Sequence, residues 1–221
     1  MTNVTLFTDS LGLPRADVPL SKSWPSVLAE LLATRAVIRT FGFGGATSTK
    51  IVRETERGYL QHIDSDIVII QVGIVDCAPR ALRRTELLVC KAPGISRVVH
   101  PLIQKHYAAI SSKRDLAYTT PETYRSNLLT LRDRFSGRAM LLAILPASSG
   151  YRNKSPKIQD RIDEYNGIGS EVFGEQFIHR VLEGENDAMY LPDHHHLSIE
   201  GASRLAADVV KHLESSGLLR P

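Results

Sequence analysis

Short apolar runs alternate along this chain with longer stretches whose apolar positions recur every three or four residues. The first pattern suits strands and the second suits amphipathic helices. Val4–Phe7 is a predicted strand ending at Thr8-Asp9-Ser10. In Trp24–Leu32, the residues Trp24, Val27, Leu28, Leu31 and Leu32 share one helical face, and Ser23-Trp24-Pro25 suits a helix start. Ala36–Phe41 is a second strand, closed by the flexible run Gly42-Phe43-Gly44-Gly45, and Thr49–Leu60 predicts a helix. Asp66–Val72 reads Asp-Ile-Val-Ile-Ile-Gln-Val, the β-branched run of a strand covered on both faces. Pro121–Phe135 predicts a helix with Thr120 as its cap, and Ala139–Leu145 another buried strand. Pro156–Val172 predicts a helix, Asp187–Leu191 a short last strand, and Ser198–Leu213 a closing helix.

Strands alternating with helices specify an α/β fold whose parallel sheet is covered on both faces. Ligands of such sheets bind beyond the carboxyl ends of the strands. Thr8–Ser10, Gly42–Gly45, Gly73–Asp76 and Pro192–His196 each follow a predicted strand, so all four should gather at one end of the sheet.

The stretch from Cys77 to Thr120 shows no clear period. Its eight basic residues (Arg80, Arg83, Arg84, Lys91, Arg97, Lys105, Lys113 and Arg114) face only Glu86 and Asp115, a net +6 where the whole chain carries +3. A segment this long without a pattern is usually functional or disordered, so it reads as a basic insertion, or flap, at about 77–120 of a single domain spanning 1–221. A solvated flap explains the charge as simply as an anionic ligand does. Aromatic stacking residues are sparse there, Tyr107 and Tyr118 only, which argues against nucleic acid as a partner.

Composition is ordinary for a globular protein, with 43% hydrophobic and 23% charged residues. Two cysteines, Cys77 and Cys90, are too few for a disulfide scaffold and are expected to be reduced. The start of the chain has no basic segment followed by an apolar one, and no apolar run reaches the roughly 20 residues of a membrane helix. The expectation is a cytoplasmic protein with no membrane span.

A serine needs a base to take its proton, and the base needs a partner to orient it. Asp193-His194-His195-His196 supplies a carboxylate and three candidate imidazoles, of which the spacing from Asp193 favours His196. Ser10 is the hydroxyl they would serve. Its backbone N–H, with that of Gly44 or Gly45, would hold an oxyanion. Each feature has a plainer reading. Ser10 suits a turn, Asp193 suits an Asx-turn, and the glycines suit a strand-to-helix connection. Three adjacent histidines suggest a metal only weakly, because neighbouring side chains diverge and no Cys or Glu cluster accompanies them. Cys77, with no base near it in sequence, reads as an inert thiol.

Taken together, Thr8-Asp9-Ser10-Leu11, Phe43-Gly44-Gly45-Ala46-Thr47-Ser48, Gly73-Ile74-Val75-Asp76 and Asp193-His194-His195-His196 resemble the four ordered blocks of the SGNH hydrolases, also called GDSL esterases and lipases. The blocks span nearly the whole chain. The resemblance implies a flavodoxin-like three-layer sandwich with a central parallel sheet of about five strands. It implies Ser10 as nucleophile, His196 as base and Asp193 as its orienter, with Gly45 as an oxyanion donor. Gly44, Asp9, Asp76 and Arg80 are the further candidates for substrate and oxyanion contacts. No metal or cofactor is called for.

Two positions depart from the family pattern. Thr8 replaces the first glycine and crowds the turn before Ser10, and Val75 replaces the asparagine that donates to the oxyanion. Loss of one such donor costs on the order of a hundredfold in rate, and Arg80 is the candidate to compensate. The expected activity is hydrolysis of a small acyl ester, such as acetyl, on a polar carrier, with anionic carbohydrates among the candidates. An O-acyltransferase with the same triad, and a binding protein that has lost its chemistry, are the alternatives.

Overall fold

The computed structural model describes residues 1–83, 85–86, 90, 95–179, 181–182 and 187–219, excluding the side chains of 59, 61, 95, 96, 98 and 100. The strands are β1 (Thr2–Thr8), β2 (Ala36–Gly42), β3 (Ile67–Gln71), β4 (Ala139–Leu142) and β5 (Phe177–Ile178). They form one sheet in the order β2-β1-β3-β4-β5, with every pairing parallel. The helices are α1 (Trp24–Leu31), α2 (Ser48–Thr55), α3 (Ile74–Cys77), α4 (Ile95–Lys105), α5 (Tyr107–Arg114), α6 (Pro121–Arg134), α7 (Ser149–Lys154), α8 (Ile158–Phe173) and α9 (Ile199–Ser215).

The apolar runs explain the layering. All five residues of β3 and all four of β4 are buried, as a sheet covered on both faces requires. α1 packs against α9, while α6 packs against α2 and α8. Phe7 of β1 stacks between Phe41 of β2 and Phe135 at the end of α6, joining sheet to helix in one connected apolar core. Thr120 caps α6, its hydroxyl accepting the Thr123 N–H at 3.2 Å. This is the flavodoxin-like strand order, and its switch point lies between β1 and β3, where the chain turns outward in opposite directions. Thr8 ends β1 between Gly42 of β2 and Gln71 of β3, so three strands release their loops side by side.

Several expectations are corrected. The fifth strand is Phe177–Ile178 beside β4, too short to leave a sequence pattern. Asp187–Leu191 is no strand: Asp187–Met189 is a 3-10 turn, and Tyr190 makes one isolated antiparallel bridge to Leu197. β4 stops at Leu142: the Ala143 N–H still donates to the Ile178 carbonyl at 3.1 Å, and beyond it the Asn166 side chain takes both backbone groups of Ile144, at 2.8 and 3.0 Å, while Ala143–Leu145 stays buried. The helix expected over Thr49–Leu60 ends at Thr55, and Gly58, with φ of 55°, starts a 3-10 turn. The segment without a period contains α4 and α5; Pro101 inside α4 and the basic residues hid their spacing. Two of those basic residues, Arg84 and Lys91, lie outside the described residues. The helix expected over Pro156–Val172 starts at Ile158, with α7 as a separate turn before it. Among the described residues no helix is long and apolar enough to cross a membrane.

Candidate active site

Ser10 opens a 3-10 turn directly after β1. Asp9 caps that turn, its Oδ1 accepting the Leu11 N–H at 2.9 Å. Thr8, in place of a glycine, is fully buried. Room for it comes from Gly12, where a Cβ would fall 2.3 Å from Thr8 Oγ1. The small residue that leaves space beside Thr8 stands four positions further along.

The second half of the site is built by one carboxylate. Asp193 Oδ1 accepts the backbone N–H groups of His195 and His196 at 3.1 and 3.0 Å, which winds the loop before α9. Oδ2 accepts from His196 Nδ1 at 2.6 Å. Asp193 is therefore an Asx-type turn residue and an imidazole orienter at once. His194, at φ 71°, turns its ring away against Gly150. His195 leans on Tyr151 and on the His196 ring. Of the three imidazoles, His196 is the buried one, and its Nε2 lies 3.2 Å from Ser10 Oγ.

Burial lowers the His196 pKa to about 4, with the nearby His195 and Arg15 charges adding and Asp193 opposing. At neutral pH the ring is uncharged, with Nδ1–H on Asp193 and the Nε2 lone pair facing Ser10. Burial would raise the Asp193 carboxyl, but the bonds from His196 and His195 outweigh it and hold the group below the ordinary carboxylate range. A neutral base beside a fixed carboxylate is the protonation state that proton abstraction from a serine requires.

Gly44 and Gly45 come to the same place from the end of β2, with Gly45 at φ 62°, a conformation that glycine adopts without strain. The N–H groups of Ser10, Gly44 and Gly45 donate to no acceptor among the described residues. The loop carrying them is tied down by Asp76, whose carboxylate accepts the Ser48 N–H at 3.0 and 2.9 Å and the Ser48 hydroxyl at 2.8 Å. Asn127 of α6 donates to the same hydroxyl at 2.8 Å. Burial raises the Asp76 pKa, against the bonds from Thr119 and Ser48.

Asp9 and Asp76 do not contact the substrate space, contrary to expectation. Both are buried and neither lines the cavity; each spends its carboxylate on the backbone of the loop beside it. Ser10, Gly44, Gly45, Arg80, Asp193 and His196 all line one cavity of about 1060 Å³. Arg80 stacks on Tyr118 at 4.4 Å and donates to the Val75 carbonyl at 3.3 Å. The cavity wall is completed by Lys105, Tyr107, Tyr151 and Lys154, from α4, α5 and α7. Sequence reading missed Arg15, whose guanidinium bonds to His196 Nε2 itself. The one trace of it in the chain is a cation five residues after Ser10. The ligand atoms of Asp193, His195 and His196 lie within 4.8 Å of one another, but Asp193 Oδ2 and His196 Nδ1 are already committed to each other.

No protein-family model and no curated protein matches the chain. Solved structures match over nearly its whole length. A lipase/acylhydrolase from Enterococcus faecalis superposes with a TM-score of 0.70 at 21% identity, covering 100% of this chain and 98% of that one. A mutant of an acetyl-xylooligosaccharide esterase from Geobacillus Stearmophilus gives 0.63 at 14% identity, over 96% of this chain and 94% of the other. A protein from Slackia heliotrinireducens classed among the SGNH hydrolases gives 0.59 at 15%, over 96% and 98%. The fold is that of the SGNH hydrolases.

Proposed function

We propose that this chain is a serine ester hydrolase of the SGNH type that removes a small acyl group, acetyl foremost, from a polar carrier such as a carbohydrate. The observation that carries the reading is the unbroken line Ser10 Oγ, His196 Nε2, His196 Nδ1, Asp193 Oδ2 at the floor of one cavity, with steps of 3.2 and 2.6 Å. Ser10 Oγ attacks the acyl carbonyl while His196 Nε2 takes its proton. The carbonyl oxygen becomes an oxyanion held by the Ser10 and Gly45 N–H groups. His196 returns the proton to the departing alcohol, leaving an acyl-serine. Water, deprotonated by His196, attacks that ester, and the proton passes back to Ser10 as the acid leaves. Asp193 keeps the ring in the right tautomer throughout. These steps call on no group beyond the chain and water.

A small acyl group suits the apolar side chains Leu11, Leu13 and Ile74 that line the cavity with Ser10, while the tyrosines and cations of the same cavity suit a polar carrier. The likeness to a fold that also houses an acetyl-xylooligosaccharide esterase supports this choice. Steady-state hydrolysis of 4-nitrophenyl acetate, 4-nitrophenyl octanoate and acetylated xylo-oligosaccharides by wild type and Ser10→Ala tests it. Acetyl esters should be cleaved best, and the variant should be silent. Equal turnover by Ser10→Ala would refute the reading.

The cavity, at about 1060 Å³, leaves space for a second alcohol over the acyl-enzyme, which favours O-acyl transfer as the second reading. Product analysis with an acetyl donor and sugar acceptors separates transfer from hydrolysis. Thr8, one motive for a binding-only protein, loses its weight because Gly12 accommodates it.

A further inference from the structure

The ester-hydrolase reading leaves the charge of its cavity unused. Arg15, Arg80, Lys105 and Lys154 line the space, and the acidic residue there, Asp193, is committed to His196. Neither arginine is fully served. Arg15 Nε and Arg80 Nε are buried without a hydrogen-bond partner among the described residues. A buried donor with no acceptor carries a desolvation cost that an incoming anion would remove.

Arg15 also stands in a particular place. Its guanidinium donates to His196 Nε2, the same atom that faces Ser10 Oγ at 3.2 Å. The other ring nitrogen is bonded to Asp193, so a neutral His196 has one lone pair for two donors. While Arg15 holds it, Ser10 has only a share of its base.

We propose that the substrate carries a fixed negative charge, carboxylate or phosphate, close to its ester bond, and that Arg15 is the specificity-determining residue that reads it. This deepens the ester-hydrolase reading and rests on it. The anion enters between Arg15 and Arg80 and forms a charge-assisted pair with the Arg15 guanidinium, which matches carboxylate and phosphate oxygens two at a time. Arg15 then leaves Nε2 to Ser10. An ester of the same shape without the charge binds less tightly and also fails to release the base. Selection therefore acts on kcat as well as on KM.

Three acetyl esters of one frame test this: 4-acetoxybenzoate, 4-acetoxyphenyl phosphate and methyl 4-acetoxybenzoate. The neutral methyl ester has a better leaving group than 4-acetoxybenzoate, so intrinsic reactivity works against the predicted order. The wild type should favour an anionic ester in kcat/KM by about tenfold or more, as one charge-assisted pair allows. The advantage should shrink with added salt. Which of the two anions leads distinguishes a carboxylate substrate from a phosphate one. In Arg15→Gln the ratio of anionic to neutral kcat/KM should collapse toward one, and Arg15→Lys should recover part of it. An unchanged ratio in Arg15→Gln, or a wild type that prefers the methyl ester, overturns the proposal.

Calorimetry with 4-acetamidobenzoate and its methyl ester, on Ser10→Ala and on Ser10→Ala/Arg15→Gln, reads the same preference without turnover. Anion preference that depends on Arg15 in a protein that cleaves no ester would sink the hydrolase reading and, with it, the ester part of this proposal, leaving Arg15 as an anion-binding residue only. Brisk cleavage with no charge preference would do the reverse.

Discussion

Ser10 Oγ and His196 Nε2 stand 3.2 Å apart although 186 positions separate them in the chain. Topology accounts for the meeting. Ser10 leaves the carboxyl end of the central strand β1, beside the switch point of a sheet ordered β2-β1-β3-β4-β5. The loop before α9 returns across that same end, and Asp193 winds it so that one imidazole faces inward. Residues that act through one proton path lose function as a unit. Ser10→Ala, His196→Ala and the double variant should each lower kcat by about 10⁴ or more, the double no worse than the worse single. Losses that multiply in the double variant would mean the two side chains act separately.

The Asp193 carboxylate has two tasks, loop winding and ring orientation, and they can be separated. Asp193→Asn keeps an oxygen for the His195 and His196 N–H groups but cannot accept Nδ1–H as a carboxylate does. The expected result is a fold and Tm near wild type with kcat reduced about a thousandfold or more. Circular dichroism with ester kinetics checks both halves.

His196 also sets the acid limit of activity. Its pKa is displaced downward to about 4, mainly because burial disfavours the imidazolium. The base is therefore neutral well below the pH at which a free histidine charges. The kcat/KM profile for a neutral ester should be level from about pH 8 to pH 6 and fall as pH drops through about 4. An acid limb near 6.5 would contradict the buried setting of the ring.

Much of this site is legible in the amino-acid order alone. Val4–Phe7, Ala36–Phe41 and Asp66–Val72 declare themselves as short runs rich in apolar and β-branched residues, most completely in the fully buried β3, and the loops after them inherit their positions from the parallel order. Asp193 and His196 are readable from their spacing. The edge strand Phe177–Ile178 is not, since two residues carry no period. Nor is Arg15, because its role depends on where a flexible side chain reaches across the turn. Asp9 and Asp76 mislead for a different reason. An acidic residue in a loop near a nucleophile has the same appearance whether it faces substrate or backbone, and only burial separates the two.

Thr8 and Gly12 should behave as a coupled pair. Gly12→Ala would set its Cβ 2.3 Å from Thr8 Oγ1 and 2.7 Å from Thr8 Cβ. Overpacking of this kind costs about 2 kcal/mol, a Tm drop of roughly 5 °C for a chain of this size. Thr8→Gly removes the obstacle. The double variant should therefore be at least about 1 kcal/mol more stable than the sum of the singles predicts. Additive losses in urea unfolding would show that the contact does not shape the turn.

Asp9 gives a stability prediction with a definite sign. Burial raises its pKa to about 7, against the Leu11 N–H bond. Between the unfolded value of 3.8 and that value the folded protein holds a proton that the unfolded chain releases. The stability linked to Asp9 is therefore intact at low pH and is lost as pH rises toward 7. Asp9→Asn keeps an acceptor for Leu11 and cannot ionise, so its Tm relative to wild type should rise by several degrees between pH 4 and pH 8. A constant difference across that range would place the titration elsewhere.

The central claim is that Ser10 is a nucleophile made reactive by His196. Labelling with a fluorophosphonate, followed by peptide mass mapping of wild type and His196→Ala, tests it most directly. The account predicts a single adduct on Ser10 in the wild type and none, within the same time, in the variant. Labelling of another residue, or of Ser10 at equal rate without His196, would contradict it.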